Sequence, residues 1–214
     1  DITKDNVSVK SGKTVEDLKP KEEVALKLAP RSAQPKTIKP MLATLTKEAF
    51  NDPDWVFEIK WDGYRALAGW NGKTVSLRSR NNTDLVHLYP QISEAMRAIK
   101  HQVVLDGEIV VTNSDGHARF EWLQMYTTMP KGHLLYYVFD ILWCDGHNVQ
   151  GWPLSARKAL LKKILPKNSP IRYSDEVNGD GKRFFASAKK EKIEGIMAKR
   201  RDGVYNQATR SKDW

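Results

Sequence analysis

Apolar and polar positions alternate with period two across residues 55–79, and turn chemistry breaks the alternation twice, so this region predicts β structure. The expected elements are a strand over 55–61, a turn at Asp62-Gly63, a strand over 64–70, a hairpin at Asn71-Gly72 and a strand over 74–79. Together they read as a three-stranded antiparallel meander. Pro90 opens a helix whose apolar positions Ile92, Ala95, Met96 and Ile99 follow helical spacing, so one face should cover the sheet. Further strands are expected over 103–112, 133–143 and 195–200. Helices are expected from an N-cap at Ser155 through Ile164 and over 182–192. The fold class that follows is α+β, with mostly antiparallel sheets flanked by helices and arranged as two lobes.

Residues 1–38 break from this pattern. They contain no aromatic residue, mix lysines with acids and carry Pro20, Pro30 and Pro35, a composition that does not bury a core of its own. They read as a linker or the tail of an upstream module. A helix over 15–28 would pack Val24 and Leu28 on the domain formed by residues 39–214.

Composition narrows the function classes. At 214 residues the chain can bury a core, and 35 Lys+Arg against 26 Asp+Glu give a net charge of +9, which suits a polyanionic partner without requiring one. Cys144 is the only cysteine, so no intrachain disulfide forms, and the histidines show no metal-ligand spacing with it. The longest apolar run, 134–139, is too short to span a membrane, and no signal-peptide apolar region is evident. A soluble protein of a reducing compartment is expected.

The candidate chemistry centres on Glu58-Ile59-Lys60-Trp61-Asp62-Gly63-Tyr64-Arg65. On a strand, Glu58, Lys60 and Asp62 would share one face and Phe57, Ile59 and Trp61 the other. Ordinary half-buried hairpins show the same alternation. A lysine held among charged groups can instead act as a nucleophile once it is neutral, although its unperturbed pKa is ~10.4. Arg65 and Lys199, if close, would help to lower it.

The octapeptide resembles motif I, Lys-x-Asp-Gly-x-Arg, of the covalent nucleotidyltransferases, and further stretches resemble the later motifs in the same order. Ser79-Arg80-Asn81 resembles motif Ia, Leu105-Asp106-Gly107-Glu108 motif III, and Tyr137-Val138-Phe139-Asp140 motif IIIa. Glu194-Gly195-Ile196-Met197-Ala198-Lys199-Arg200 resembles motif IV, and Thr209-Arg210-Ser211-Lys212-Asp213-Trp214 resembles the approach to motif V. Within that superfamily the residues look most like ATP-dependent DNA ligases, in particular the ligase domain of bacterial ligase D. The Pro-Leu-Ser-x-Arg-x-x-Leu-Leu stretch from Pro153 to Leu161 adds to that likeness.

The resemblance implies a two-lobed adenylation domain with a nucleotide site between the lobes. Lys60 would attack the α-phosphate of ATP to form lysyl-AMP, and AMP would pass to a DNA 5′-phosphate before a 3′-hydroxyl seals the strand. Glu58 and Ile59 would line the adenine site, with Glu58 reading the amino group, while Phe139 and Met197 would sandwich the base. Glu108 would hold ribose or metal, Arg80 would lie near the ribose and the nucleic-acid backbone, and Arg65, Lys199 and Arg210 would contact phosphate. Glu108 and Glu194 would organise Mg2+, or Mn2+ in its place. A bend or strand start near Gly195 is expected, because a regular strand would put Glu194 and Lys199 on opposite faces.

The implied partners are ATP, nicked or broken duplex DNA, end-joining proteins and fused polymerase or phosphoesterase modules. The implied setting is a monomer in the bacterial cytoplasm, associated with the nucleoid. The lysine pair of motif V and the oligonucleotide-binding-fold domain are expected beyond Trp214, so sealing by these residues alone should be weak. An RNA ligase or a GTP-using capping enzyme shares the fold, and a non-catalytic nucleic-acid-binding module is the alternative of another class.

Overall fold

The computed structural model describes residues 26–214. Its largest unit is a six-stranded sheet. Strands β3 (Tyr64–Trp70), β4 (Val75–Ser79), β5 (Val103–Thr112), β6 (His133–Cys144) and β7 (His147–Asn148) run in the order β4-β3-β5-β6-β7, and β8 (Ile171–Tyr173) pairs with β6 in parallel. A second sheet places β2 (Trp55–Ile59) between β9 (Glu176–Asn178) and β10 (Ile196–Arg200), and β1 (Leu42–Ala43) pairs with β11 (Arg210–Ser211). All pairings within the two larger sheets except β6 with β8 are antiparallel, as the alternation predicts.

The expected meander is corrected. β3 and β4 form the hairpin, but β2 ends at Ile59 and belongs to the other sheet. The Asp62-Gly63 turn is therefore a crossing between sheets. A Cβ on Gly63 would lie 2.1 Å from the Ile109 carbonyl oxygen, so only glycine lets the chain pass this close before Tyr64 pairs with Ile109. The crossing leaves Lys60, Trp61 and Asp62 outside both sheets.

The main core lies on one face of the large sheet, where Ala66, Ala68, Leu77, Leu105, Ile109, Tyr136 and Ile141 meet the helix Pro90–Arg97 through Ile92 and Met96. That helix starts at proline, as expected. The helix Leu154–Ile164 starts differently from expectation. Ser155 is not its cap. The Leu154 and Ser155 amides donate instead to the carbonyls of Gly203 and Arg201 at 3.0 and 2.9 Å, so the loop after β10 satisfies the helix end. The helix Gly181–Lys190 is capped by Asp180, and the helix Phe120–Met125 is too short to show a periodicity.

Residues 29–38, read in the sequence as linker, lie along the sheet. Ala29 and Ile38 are buried, Arg31 bridges to His147, and Gln34 donates to the carbonyls of Trp70 and Val103. This covers the open edge at β7. Most of the helix expected over 15–28, with Val24, lies outside the described residues. Leu28 is 82% exposed, so it does not pack as expected, and Leu26 does so instead.

One buried ion pair ties these elements together. Arg157, on the helix Leu154–Ile164, holds both oxygens of Asp140 on β6 at 2.7 and 2.8 Å and also donates to the carbonyls of Gly203 and Trp152. Both side chains are fully buried. Replacing Arg157 with methionine leaves Asp140 charged and unpaired. Urea denaturation of this variant should show a loss of about 3–5 kcal/mol, and a loss under about 1 kcal/mol would contradict the role assigned to the pair.

Candidate active site

The second face of the large sheet carries the candidate chemistry. Along β5, Val104, Asp106 and Glu108 alternate with the core residues Leu105 and Ile109, and Arg65 and Leu67 on β3 register beside them. β6 does not keep this alternation. Asp106 pairs with Asp140 while Gly107 pairs with Val138, so Phe139 is an extra residue in the ladder, and a second irregularity leaves Leu142 extra. Each bulge inverts the parity of β6. Phe139, Leu142 and Trp143 thereby join a second apolar cluster with Met41, Leu67, Val104, Tyr205 and Trp214.

Lys60 follows the end of β2. Its amide donates to the Gly195 carbonyl at 3.0 Å, and its ammonium pairs with Glu194. The side chains are 45% and 44% exposed, so this pair is open to solvent. Glu194 sits in a bend and β10 begins at Ile196. The break allows Glu194 to meet Lys60 while Lys199, further along, points to Glu58.

Glu58 is not part of a solvated row, because β2 is covered on both faces. The Glu58 residue is 1% exposed, and its two oxygens accept from Lys158 at 2.7 Å and Lys199 at 3.0 Å. Met197 registers directly opposite it, and Ile59 opposite Ile196. Burial lowers the pKa of Lys199 against the opposing pull of Glu58. Lys158 is also depressed by burial, but Glu58 and Glu176 outweigh that effect and raise it overall.

Arg65 makes a bidentate contact with Asp106 at 2.8 and 2.7 Å and donates to the Met41 carbonyl at 3.0 Å. The Tyr205 hydroxyl donates to Asp106 at 2.6 Å. The Arg65 guanidinium lies 5.0 Å from the Phe139 ring centre, and the Lys199 ammonium 4.2 Å from it. Both cations also approach the Trp214 ring. Phe139 is 8% exposed and is surrounded by cations and aromatic edges. Glu108 registers opposite Arg65, and burial pushes its carboxyl up to about 8; Arg65 and Lys60 oppose the shift, while Asp106 and Asp62 add to it.

The residues singled out from sequence thus fall into three groups. Lys60 meets Glu194, Glu58 meets Lys199 and Met197, and Arg65 meets Phe139 with Glu108 beside it. Two stand apart from these contacts. Arg80 lines a cleft with Lys39, Asn81 and Asn82, and Arg210 is exposed, with its guanidinium on the Ala43 carbonyl. Lys199 is bound to Glu58 rather than adjacent to the Lys60 ammonium. Sequence reasoning missed Asp106, Lys158, Glu176 and Tyr205. Asp106 lies two positions before Glu108 in the same motif, whereas nothing local marks Lys158.

Glu108 and Glu194 are carboxylates of the kind a hard divalent cation takes alongside phosphate oxygens, and Asp62 lies within electrostatic reach of Glu108. The raised pKa of Glu108 fits this use, because a cation would relieve the cost of its buried charge. A different set of possible ligands converges elsewhere. His101, Cys144 and Asp145 are brought within 4.8 Å, although the sequence showed no such spacing, because β5 and β6 pair Val103 with Cys144. His101 and Asp145 already form a 2.6 Å hydrogen bond there.

The chain belongs to the ATP dependent DNA ligase domain family, whose pattern matches residues 40–214. Individual relatives narrow the likeness. The multifunctional non-homologous end joining protein LigD of Mycolicibacterium smegmatis is 33% identical over 186 residues, which cover 86% of this chain and 24% of that protein. The LigD DNA repair protein of Mycobacterium tuberculosis is 37% identical over 177 residues, covering 82% and 23%. A solved mycobacterial DNA ligase D complexed with ATP and MES superimposes with a TM-score of 0.73 at 35% identity, covering 83% of this chain and 58% of that one. The chain therefore spans about a quarter of the length of these curated relatives.

The Glu108 shift has a defined pH signature. A carboxyl raised to about 8 in the folded chain binds its proton more tightly than the unfolded chain does, so stability falls as pH rises from about 4.5 to about 8. Urea melts of Glu108→Gln against the parent across pH 5 to 9 should show that the variant lacks this decline. Parallel curves would contradict the burial-driven shift.

Proposed function

We propose that this chain is the adenylation domain of an ATP-dependent DNA ligase that acts in end joining, and that Lys60 is its nucleophile. The observation that carries this reading is the position of Lys60, which is solvent-accessible on the crossing between two sheets, with Glu194 against its ammonium and Glu108 within electrostatic reach. The family match over residues 40–214 supports it.

In the first step the neutral Lys60 Nζ attacks the α-phosphorus of ATP. The bond to pyrophosphate breaks as the phosphoramide bond forms, and the lysine gives up a proton. At rest the Lys60 ammonium is paired with Glu194. Glu194 and Glu108 would hold Mg2+, which would draw the Glu194 carboxylate off Lys60 and leave Nζ free to approach the phosphorus. Mg2+ bound there would also offset charge on the phosphate oxygens. Phe139 offers the base a ring, Met197 and Ile59 offer apolar surface, and Glu58 offers an acceptor for the adenine amino group. Arg65, Arg210 and Lys199 supply positive charge near the phosphates, where Arg65 and Lys199 must first leave their partners Asp106 and Glu58.

In the later steps a DNA 5′-phosphate oxygen attacks the AMP phosphorus and displaces Lys60. A 3′-hydroxyl then attacks the 5′-phosphorus and releases AMP. Arg80 and the cleft beside it would lie along the nucleic-acid backbone. The net charge of +9 is consistent with a duplex substrate.

Incubation with Mg2+ and α-labelled ATP, GTP or NAD tests the reading. We expect label from ATP that survives denaturation and is lost in Lys60→Ala, or a parent chain that already carries AMP by mass. A parent chain that gains no label and carries no adduct would overturn the proposal, as would full labelling of Lys60→Ala. Label from GTP alone would indicate a capping-type enzyme.

A further inference from the structure

Glu58 is held by two lysines, and only Lys199 is a fixed residue of one of the ligase-like motifs; Lys158 stands at an unspecified position of the Pro153–Leu161 stretch. Lys158 sits on the helix Leu154–Ile164, 100 positions along the chain from Glu58. It is buried, and its ammonium has three acceptors: Glu58 Oε1 at 2.7 Å, the Ser174 carbonyl at 3.0 Å and Glu176 Oε2 at 3.1 Å. An ammonium has three N–H groups, so this set uses them all. The charge also lies 4.6 Å from the Tyr173 ring centre, and the Tyr173 hydroxyl donates to Glu176 at 2.7 Å. Lys158 is thus fixed by the fold and has no donor left for a nucleotide.

What it does fix is Glu58. With Lys158 on Oε1 and Lys199 on Oε2 the carboxylate is fixed at rest, and once Lys199 leaves for the phosphates Lys158 still holds Oε1 while Oε2 is free to accept from the base. The Lys199 ammonium also lies on the Phe139 ring, so the Glu58 carboxylate is next to the aromatic assigned to the base. An ionised carboxylate only accepts hydrogen bonds. It can accept a hydrogen bond from the amino group of a 6-aminopurine and repels the oxygen of a 6-oxopurine. A protonated carboxyl could donate to that oxygen and would lose the distinction.

We propose that Lys158 is a positioning residue for nucleotide choice: by pairing with Glu58 it holds that carboxylate in place as a hydrogen-bond acceptor, so that adenine is accepted and guanine rejected. The inference rests on the reading above, in which Glu58 faces the base. Lys158 itself touches no substrate, and its effect on selectivity passes through Glu58. A helix residue outside the fixed motif positions thereby contributes to specificity.

The test compares the full chain with Lys158→Met and Lys158→Gln, measuring ATP and GTP affinity by competition and nucleotide transfer to Lys60 from each. Lys158→Gln keeps two N–H donors for Glu58 and the Ser174 carbonyl and removes the charge, so it carries the test should the methionine variant fail to fold. We expect the ATP-to-GTP preference to fall by at least ~10-fold, as for loss of a hydrogen bond to a charged group, and Lys158→Arg to restore most of it. In a Glu58→Gln background the Lys158 substitution should change the preference less than ~2-fold, because the two residues act as one unit. A folded variant with the parent's preference would overturn the inference, as would equal loss of both nucleotides or an undiminished effect in the Glu58→Gln background. A parent chain that neither binds ATP nor transfers AMP would instead overturn the proposed function, so the two failures are distinct.

Discussion

Two carboxylates stand directly opposite each other on neighbouring strands, both fully buried, and the structure around them depends on keeping those charges neutralised. Asp106 on β5 registers against Asp140 on β6. Two unpaired anions at that separation would repel each other and cost several kcal/mol each in desolvation. Each is matched by an arginine from a different direction, Arg65 from β3 and Arg157 from the helix Leu154–Ile164, and both contacts are bidentate. The pairing therefore binds three strands and a helix at one point. It also reaches the Met41 carbonyl through Arg65 and the Gly203 carbonyl through Arg157.

The candidate site is built on that floor. Phe139 is the bulged residue immediately before Asp140, so the anchor that holds Asp140 also sets where the aromatic points. Charge pairing recurs around it, with Glu58 between Lys158 and Lys199, and Lys60 with Glu194. Among the described residues no buried side-chain nitrogen or oxygen lacks a hydrogen-bond partner. The groups assigned to substrate are consequently engaged with one another, and a nucleotide must exchange some of these contacts for its own. Lys60 and Glu194 are the readiest to exchange, because their pair is open to solvent, where ion pairs contribute little.

Much of this was legible along the chain. The period-two alternation located β3, β4, β5 and β6, and Pro90 with its helical apolar spacing located the first full helix. The octapeptide around Lys60 marked the nucleophile candidate, and the break before β10 followed from asking how Glu194 and Lys199 could serve one site. The same alternation misled at Asp62-Gly63, because local pattern distinguishes strand from helix but does not say which strand is the partner. It misled again at Glu58, where period two correctly separated it from Phe57 but gave no sign that both faces of β2 are covered. The short strands β1, β7, β9 and β11 had too few residues to show a period.

By itself, then, the sequence determined the longer strands and helices and the candidate reactive residues with their order, because these depend on periodicity and on residue chemistry read within a few positions. Only the tertiary structure decided which charges meet. Lys158 reaches Glu58 from 100 positions away, Arg157 reaches Asp140 across a helix–sheet contact, and Phe139 is itself an extra residue that exists only relative to β5. Pairing partners and ladder registers are relations between distant segments, set when burial forces every charge to find its counterpart, and no local window contains both members.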